Sequence, residues 1–270
     1  MKTQKVVTRD EWLAARKDFL EKEKAFTRER DALAEARRKL PLVAVDKKYV
    51  FEGPTGAVPL AELFAGKKQL IVYHLMFDPA NDAACPHCSF VVDSIASGLV
   101  HLQARDTAFA AVSRAPIAKI EAFKKRMGWS FPWVSSFGNS FNHDFGVYFT
   151  PEEKARGDVY YNYTMQPFPS DEAPGASVFY KDPATGDIFH TYSTYGRGLD
   201  TLVTSYVLLD LVPKGRDEDA LPFDMQWVRH HDKYESGELK DADRPYWPKT
   251  AEPAGCCHSK TAAAAAEAAR

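Results

Sequence analysis

Several things that would mark a function class at once are scarce in this sequence. Lys and Arg number 35 against 37 Asp and Glu, a formal net charge of -2, so there is no global positive field to hold a polyanion and a nucleic-acid role is not expected. Cysteine is rare: four in 270 residues is far below the density of a disulfide scaffold. The N-terminus meets charge at Arg9, Asp10 and Glu11 without the apolar core of a secretory signal. The longest apolar run, Leu70 to Phe77, is interrupted by Tyr73 and His74 and is far shorter than the roughly 20 residues of a membrane helix. A soluble cytoplasmic protein, where thiols stay reduced, is expected. No glycine-rich phosphate loop follows any strand-like run, so no organic cofactor is expected. With 45% hydrophobic and 27% charged residues, the composition excludes a disordered or fibrous chain and suffices for a buried core.

Thr8 and Glu11 fit a capping box, after which Trp12, Phe19, Phe26, Leu33 and Leu40 recur every seven residues. This predicts one long helix, or two broken near Thr27, ended by Pro41 and laid along the body by a narrow apolar stripe. The other row of a coiled-coil seam would hold Arg16, Glu23 and Arg30, which argues against a self-standing coil. Residues 1–41 are thus an N-terminal helical extension. From Tyr49 short β-type runs follow: a hairpin around Gly53 to Gly56, a short helix at Ala61 to Phe64, and the strand Leu70 to Phe77, apolar as one covered on both faces. A helix of about five turns is expected from Cys85 to Arg105, then strands and helices in alternation to Ser136, which indicates βαβ units. Periodicity fails between Phe137 and Pro174, an expected insertion or lid. A hairpin follows around Asp182 to Gly186, then an apolar helix at Leu199 to Leu211. The main domain is expected over residues 42–234, with a loose tail over 235–270.

The cysteines come as two tight pairs, Cys85 with Cys88 and Cys256 with Cys257. A first sulfur at a helix N-terminus meets unpaired N–H groups and the positive end of the helix dipole, which lowers its pKa. A second sulfur three residues on lies one turn behind it, close enough for a small disulfide ring. Cys85 is therefore the expected nucleophile and Cys88 the resolving thiol, with His87 between them able to stabilise the thiolate. Pro86 is tolerated in a first helical turn. The competing zinc set would be Cys85, Cys88, Cys256 and either Cys257 or His258. Adjacent cysteines share one tetrahedral ion poorly, so no metal is expected.

The order of strand, Cys85-Pro86-His87-Cys88, helix, strand, helix, Pro174-Gly175-Ala176-Ser177 and hairpin resembles the thioredoxin fold. That resemblance implies an α/β protein with a central mixed sheet flanked by helices, and it makes Ala173-Pro174 the candidate cis-proline lying against the disulfide, with the insertion before that strand. More closely, the capped N-terminal helix, Ser177-Val178-Phe179-Tyr180, Phe189 to Gly198 and Trp227 to Asp232 resemble the bacterial DUF899 family, thioredoxin-like predicted dithiol-disulfide oxidoreductases. The sequence departs from thioredoxins in having Ala83-Ala84 where they carry a tryptophan, and from peroxiredoxins in having Asp82 where they carry a threonine or serine.

Alternation along a strand would put His190 and Tyr192 on one sheet face, with Arg197 at its exit, able to line a pocket above the disulfide and bind an anionic or thiol substrate such as glutathione. A structural hydrogen-bond network is the alternative role for this set. His74 is expected in the core and His101 in solvent. The sequence thus points to dithiol-disulfide exchange with a disulfide- or thiol-containing protein or small molecule. The alternatives are a non-catalytic binding module of the same fold, a peroxiredoxin-like peroxidase, or a zinc-binding protein.

Overall fold

The structure is a computed structural model that describes residues 4–234. The chain falls into two units divided between Val228 and Arg229. In the second, residues 229–234 form a turn in which the Tyr234 hydroxyl accepts from the Arg229 N–H at 3.0 Å. Cys256, Cys257 and His258 lie outside the described residues.

Helix α1 spans Arg9–Arg38, opened by the expected Thr8/Glu11 capping box. It runs unbroken through Thr27, whose hydroxyl bonds back to the Glu23 carbonyl at 2.9 Å. The expectation that its stripe packs on the body is corrected, because no residue of α1 is buried. Trp12, Phe19, Phe26 and Leu33 stay exposed because the described residues of the body present no apolar surface facing this row.

Strands β1 (Val43–Ala44), β2 (Val50–Gly53), β3 (Gly56–Pro59), β4 (Gln69–His74), β5 (Thr107–Ser113) and β6 (Trp133–Ser135) join β9 (Gly175–Lys181) and β10 (Ile188–Tyr195) in one sheet. Its order is β1-β10-β9-β4-β5-β6-β2-β3. At its centre β4 pairs parallel to β5 and antiparallel to β9, and β9 pairs antiparallel to β10. That is the thioredoxin arrangement, with β6 and the β2–β3 hairpin added beside β5. The crossover from β4 to β5 carries α2 (Pro86–Ala96) and α3 (Leu99–Ala104). One helix was expected here, and Gly98, the N-cap of α3, sits where it breaks. Helix α4 (Ile117–Met127) crosses from β5 to β6 and ends in a left-handed Gly128.

Both faces of the sheet are covered, as the apolar β4 run requires. On one face Tyr73, Leu75, Phe109 and Ala111 pack with Val91, Val92, Phe123 and Trp133. On the other Leu70, Val72, Ala110 and Val112 pack with Phe51, Phe64, Phe141 and Phe179. His74 lies on this second face, 1% exposed, and its Nε2 meets Ser177 Oγ at 2.8 Å. Burial drives its pKa down to about 3, so it is a neutral core histidine, as expected.

The aperiodic stretch is ordered by short elements that no long period announces. They are α5 (Phe141–Asp144), α6 (Pro151–Ala155) with its own Thr150/Glu153 capping box, and the hairpin β7 (Val159–Tyr161) and β8 (Thr164–Gln166). After β10 the expected long helix is a 3-10 turn over Gly196–Leu202 and then α7 (Thr204–Leu209). No helix among the described residues is long and apolar enough to cross a membrane.

Candidate active site

Cys85 is the N-cap of α2 and Pro86 its first residue. The chain reaches this point by folding back on the end of β4, where the Cys85 N–H donates to the Met76 carbonyl at 2.9 Å. Ser89 secures the turn, with its backbone N–H and its hydroxyl each donating to the Cys85 carbonyl at 2.9 Å. The two cysteines are both free thiols, Cys85 half-buried and Cys88 buried at 1% exposure.

Their electrostatics are opposed. The Cys85 thiol is held well below the ordinary thiol range, first by the hydrogen bond from Cys88 and then, against the cost of burial, by His87 and the Cys88 backbone N–H. Cys88 is pushed well above that range by the same partnership and by burial. The pair shares one proton, with the charge on the more exposed sulfur. Tyr73 belongs to the same core cluster as Cys88 and is fully buried, its hydroxyl without a hydrogen-bond partner and its pKa driven up first by that burial. His87 is oriented from outside the helix: its Nε2 meets the Met225 carbonyl at 3.1 Å, and its ring stands edge-on to Phe223 at 6.3 Å.

The thiols open into a cavity of about 380 Å³ walled by Met76, Val91, Phe168, Pro174, Val203 and Met225 among others. The insertion supplies one wall. Lys154 Nζ donates to the carbonyls of Phe168 and Ser170, and the Phe168 ring packs on Tyr161 at 4.9 Å and Phe149 at 5.6 Å. The Tyr161 hydroxyl donates to the Pro174 carbonyl at 2.8 Å and accepts from the Gly196 N–H at 2.9 Å. It thereby ties two lining residues together.

Of the residues expected at the site, Cys85, Cys88, His87, Pro174 and Arg197 all line this cavity. The peptide before Pro174 is not cis, since no cis bond occurs among the described residues. Trans is the lower-energy form. Bonds on both sides hold the chain: the Ala173 N–H donates to Val147 O at 3.0 Å, and Gly175 enters β9 opposite His74. Arg197 is paired, at 3.2 Å from Asp200 and 3.7 Å from Asp224, and so is not a free anion receptor.

His190 and Tyr192 are not among the lining residues. A bulge between them breaks the alternation: His190 pairs across from Phe179, while Tyr192 pairs across from Val178. Cross-strand partners share a face, so one extra residue turns Tyr192 away from His190. His190 joins a buried chain instead, with Nε2 to Ser193 Oγ at 2.7 Å, Ser193 to Ser177 at 2.8 Å, and Ser177 to His74 at 2.8 Å. This is the structural network held as the alternative. Tyr192 carries the Arg37 guanidinium 4.8 Å over its ring.

Tyr73, Tyr161, Glu218 and Met225 belong to the site and were not singled out by sequence. Tyr73 had a signal, a lone hydroxyl in an apolar strand on the face of Ile71 and Leu75. Asp82 is exposed, 3.6 Å from Lys119, and is not among the lining residues.

Similarity to solved structures is distant. Peroxidoxin BcpB from Mycobacterium tuberculosis is 13% identical with TM-score 0.41, covering 62% of this chain and 95% of that one. A cysteine-to-serine mutant of peroxiredoxin Q from Xanthomonas campestris is 13% identical with TM-score 0.40, over 64% and 98% of the two chains. The corresponding Xylella fastidiosa protein is 10% identical with TM-score 0.39, over 63% and 96%. No curated protein matches the chain. Residues 1–234 match the model of a family described as bacterial proteins of unknown function, DUF899, and the chain belongs to that family.

Proposed function

We propose that the protein is a thiol-disulfide oxidoreductase. The observation that carries this reading is the division of labour between the two thiols. The half-buried Cys85 at the N-cap of α2 holds the negative charge, and the buried Cys88 holds the proton. The thiolate is the nucleophile in exchange, and the more accessible sulfur is the one an incoming disulfide can reach.

In the first step the Cys85 thiolate attacks one sulfur of a substrate disulfide. A Cys85–substrate bond forms, the substrate S–S bond breaks, and the other half leaves as a thiolate. In the second step Cys88 loses its proton and attacks the Cys85 sulfur, closing the Cys85–Cys88 disulfide and releasing the second half. Two electrons pass to the substrate, and a dithiol donor must reduce the pair before the next turnover. His87 assists the first step by supporting charge on Cys85.

Trapping tests this. Cys88→Ser is expected to accumulate a mixed disulfide through Cys85, and Cys85→Ser to accumulate little through the buried Cys88. Failure of both variants to capture a substrate, together with a wild-type pair inert to alkylation, would refute exchange and leave a non-catalytic binding module.

A further inference from the structure

The cavity over Cys85 constrains what can reach it. The His87 side of the pair is covered by the chain itself through the Met225 carbonyl and the Phe223 ring. The opposite wall is Phe168 to Ser170, pinned by Lys154. The sulfur therefore sits in a recess of about 380 Å³, the size of a small molecule.

Charge narrows the class further. Both arginines at this cavity are paired, Arg197 with Asp200 and Asp224, and Arg216 with Asp200 at 2.9 Å and with both oxygens of Asp210 at 2.9 and 3.0 Å. Glu218 Oε1 accepts from the Tyr206 hydroxyl at 2.8 Å, from the Met225 N–H at 3.1 Å and from Trp227 Nε1, so the carboxylate is held at the cavity wall with its charge uncompensated by any cation in these bonds. A ligand carboxylate would meet Asp200, Glu218 and Asp224, with both arginines already paired and His87 engaged by Cys85 and the Met225 carbonyl, while Met76, Val91, Phe168, Val203 and Met225 offer apolar surface.

We propose that the substrate of Cys85 is a small uncharged disulfide with apolar substituents, rather than a protein disulfide or the anionic disulfide of glutathione. This rests on the exchange reading above. Reduced protein would be mixed separately with diethyl disulfide, oxidised glutathione and insulin, and thiol loss at Cys85 and Cys88 followed by alkylation and mass spectrometry. Each rate is normalised to that of free dithiothreitol with the same disulfide. Diethyl disulfide is expected to be favoured by about tenfold or more, and Asp200→Asn, which removes the carboxylate shared by the two arginines, should narrow its lead over oxidised glutathione several-fold. Equal or faster normalised reaction with insulin or oxidised glutathione overturns the substrate class. No reaction with any of the three overturns the exchange reading itself.

The N-terminal helix carries an unrelated feature. Trp12, Phe19, Phe26 and Leu33 are 47, 54, 66 and 61% exposed, in one row that drifts about 20° per seven residues, and Leu40, 47% exposed, follows just past the helix end. Set antiparallel to another α1 with Phe26 facing Phe26, Phe19 meets Leu33 and Trp12 meets Leu40. The flanking rows then place Glu23, whose carboxylate is shared with Arg16 of its own helix, opposite Arg30, and Lys22 opposite Glu29, each twice by symmetry. Arg16 comes opposite Arg37, but Arg16 is held by Glu23 at 2.8 Å and Arg37 lies over Tyr192. Acidic and basic residues nearly balance along α1, so an anionic membrane gains little from it. The five exposed side chains offer roughly 500 Å² per copy, which with the flanking pairs approaches the low end of specific interfaces.

We infer that this row is covered by a second copy of the chain in an antiparallel α1 pair. Light scattering on the full chain should give twice the monomer mass at tens of micromolar, and Phe19→Glu with Phe26→Glu should give the monomer with unchanged circular dichroism. Glu23→Lys should weaken the dimer at least tenfold, and adding Arg30→Glu should restore it. A monomeric wild type, or a dimer that survives the double Phe substitution, overturns the inference.

Discussion

Glu172 is a carboxyl placed where its charge is costly. It is 4% exposed, two residues before Pro174 in the segment that continues from the cavity wall. Arg114 Nη1 stands 3.5 Å from Glu172 Oε1 and 3.5 Å from Asp78 Oδ2, so one cation is divided between two carboxylates. Burial outweighs Arg114 and raises the Glu172 pKa from 4.5 to about 7. The folded state thus keeps a proton that the unfolded chain has released. This contribution to stability is most favourable below pH 4.5, falls as the pH rises to about 7, and is flat above that. The full loss is on the order of 3 kcal/mol. Glu172→Gln removes the titration while keeping the shape. Urea unfolding at pH 5 and pH 8 should show the wild type losing about 2 to 3 kcal/mol relative to the variant between the two conditions. A gap that does not change with pH would refute the dominance of burial. A gap of opposite sign would show that the Arg114 pair governs the site.

Three further outcomes follow from the same geometry. Tyr73→Phe should leave the alkylation rate of Cys85 nearly unchanged and raise the urea midpoint, because it removes a buried hydroxyl that has no hydrogen-bond partner; alkylation time courses and urea unfolding check it. His87→Ala should raise the pKa in the Cys85 alkylation profile without restoring an ordinary thiol value, since the Cys88 hydrogen bond is the larger cause and remains. Gly175→Ala would set a Cβ 2.8 and 2.9 Å from the Tyr195 ring and 3.0 Å from Val147. An overpacking cost of about 1–3 kcal/mol is expected, seen as a lower urea midpoint.

Much of this molecule could be read in advance because its signals are local. The Thr8/Glu11 box, the apolar run before Cys85 and the Asp182 to Gly186 turn each need only neighbouring residues to take effect. The errors arose where distant partners decide. Whether the α1 row packs on the body depends on a facing surface, which a periodicity cannot supply. The bulge at Thr191 arises from pairing with β9, so strict alternation misplaced Tyr192. The short elements between Phe137 and Pro174 hold together through side chains such as Phe149, Tyr161 and Tyr195, which meet only after the chain has folded back.

The sequence by itself determined where the two thiols stand and that they are unequal, because a helix start orders two sulfurs three residues apart by their distance from its positive end. Tertiary structure alone decided the surroundings of that pair. Tyr73 from β4, Phe168 and Pro174 from the insertion, and Met225 from the end of the unit come from three separate stretches of chain. Only closure of the sheet brings them to one sulfur, and that closure turns an exposed redox motif into a small, charge-balanced recess.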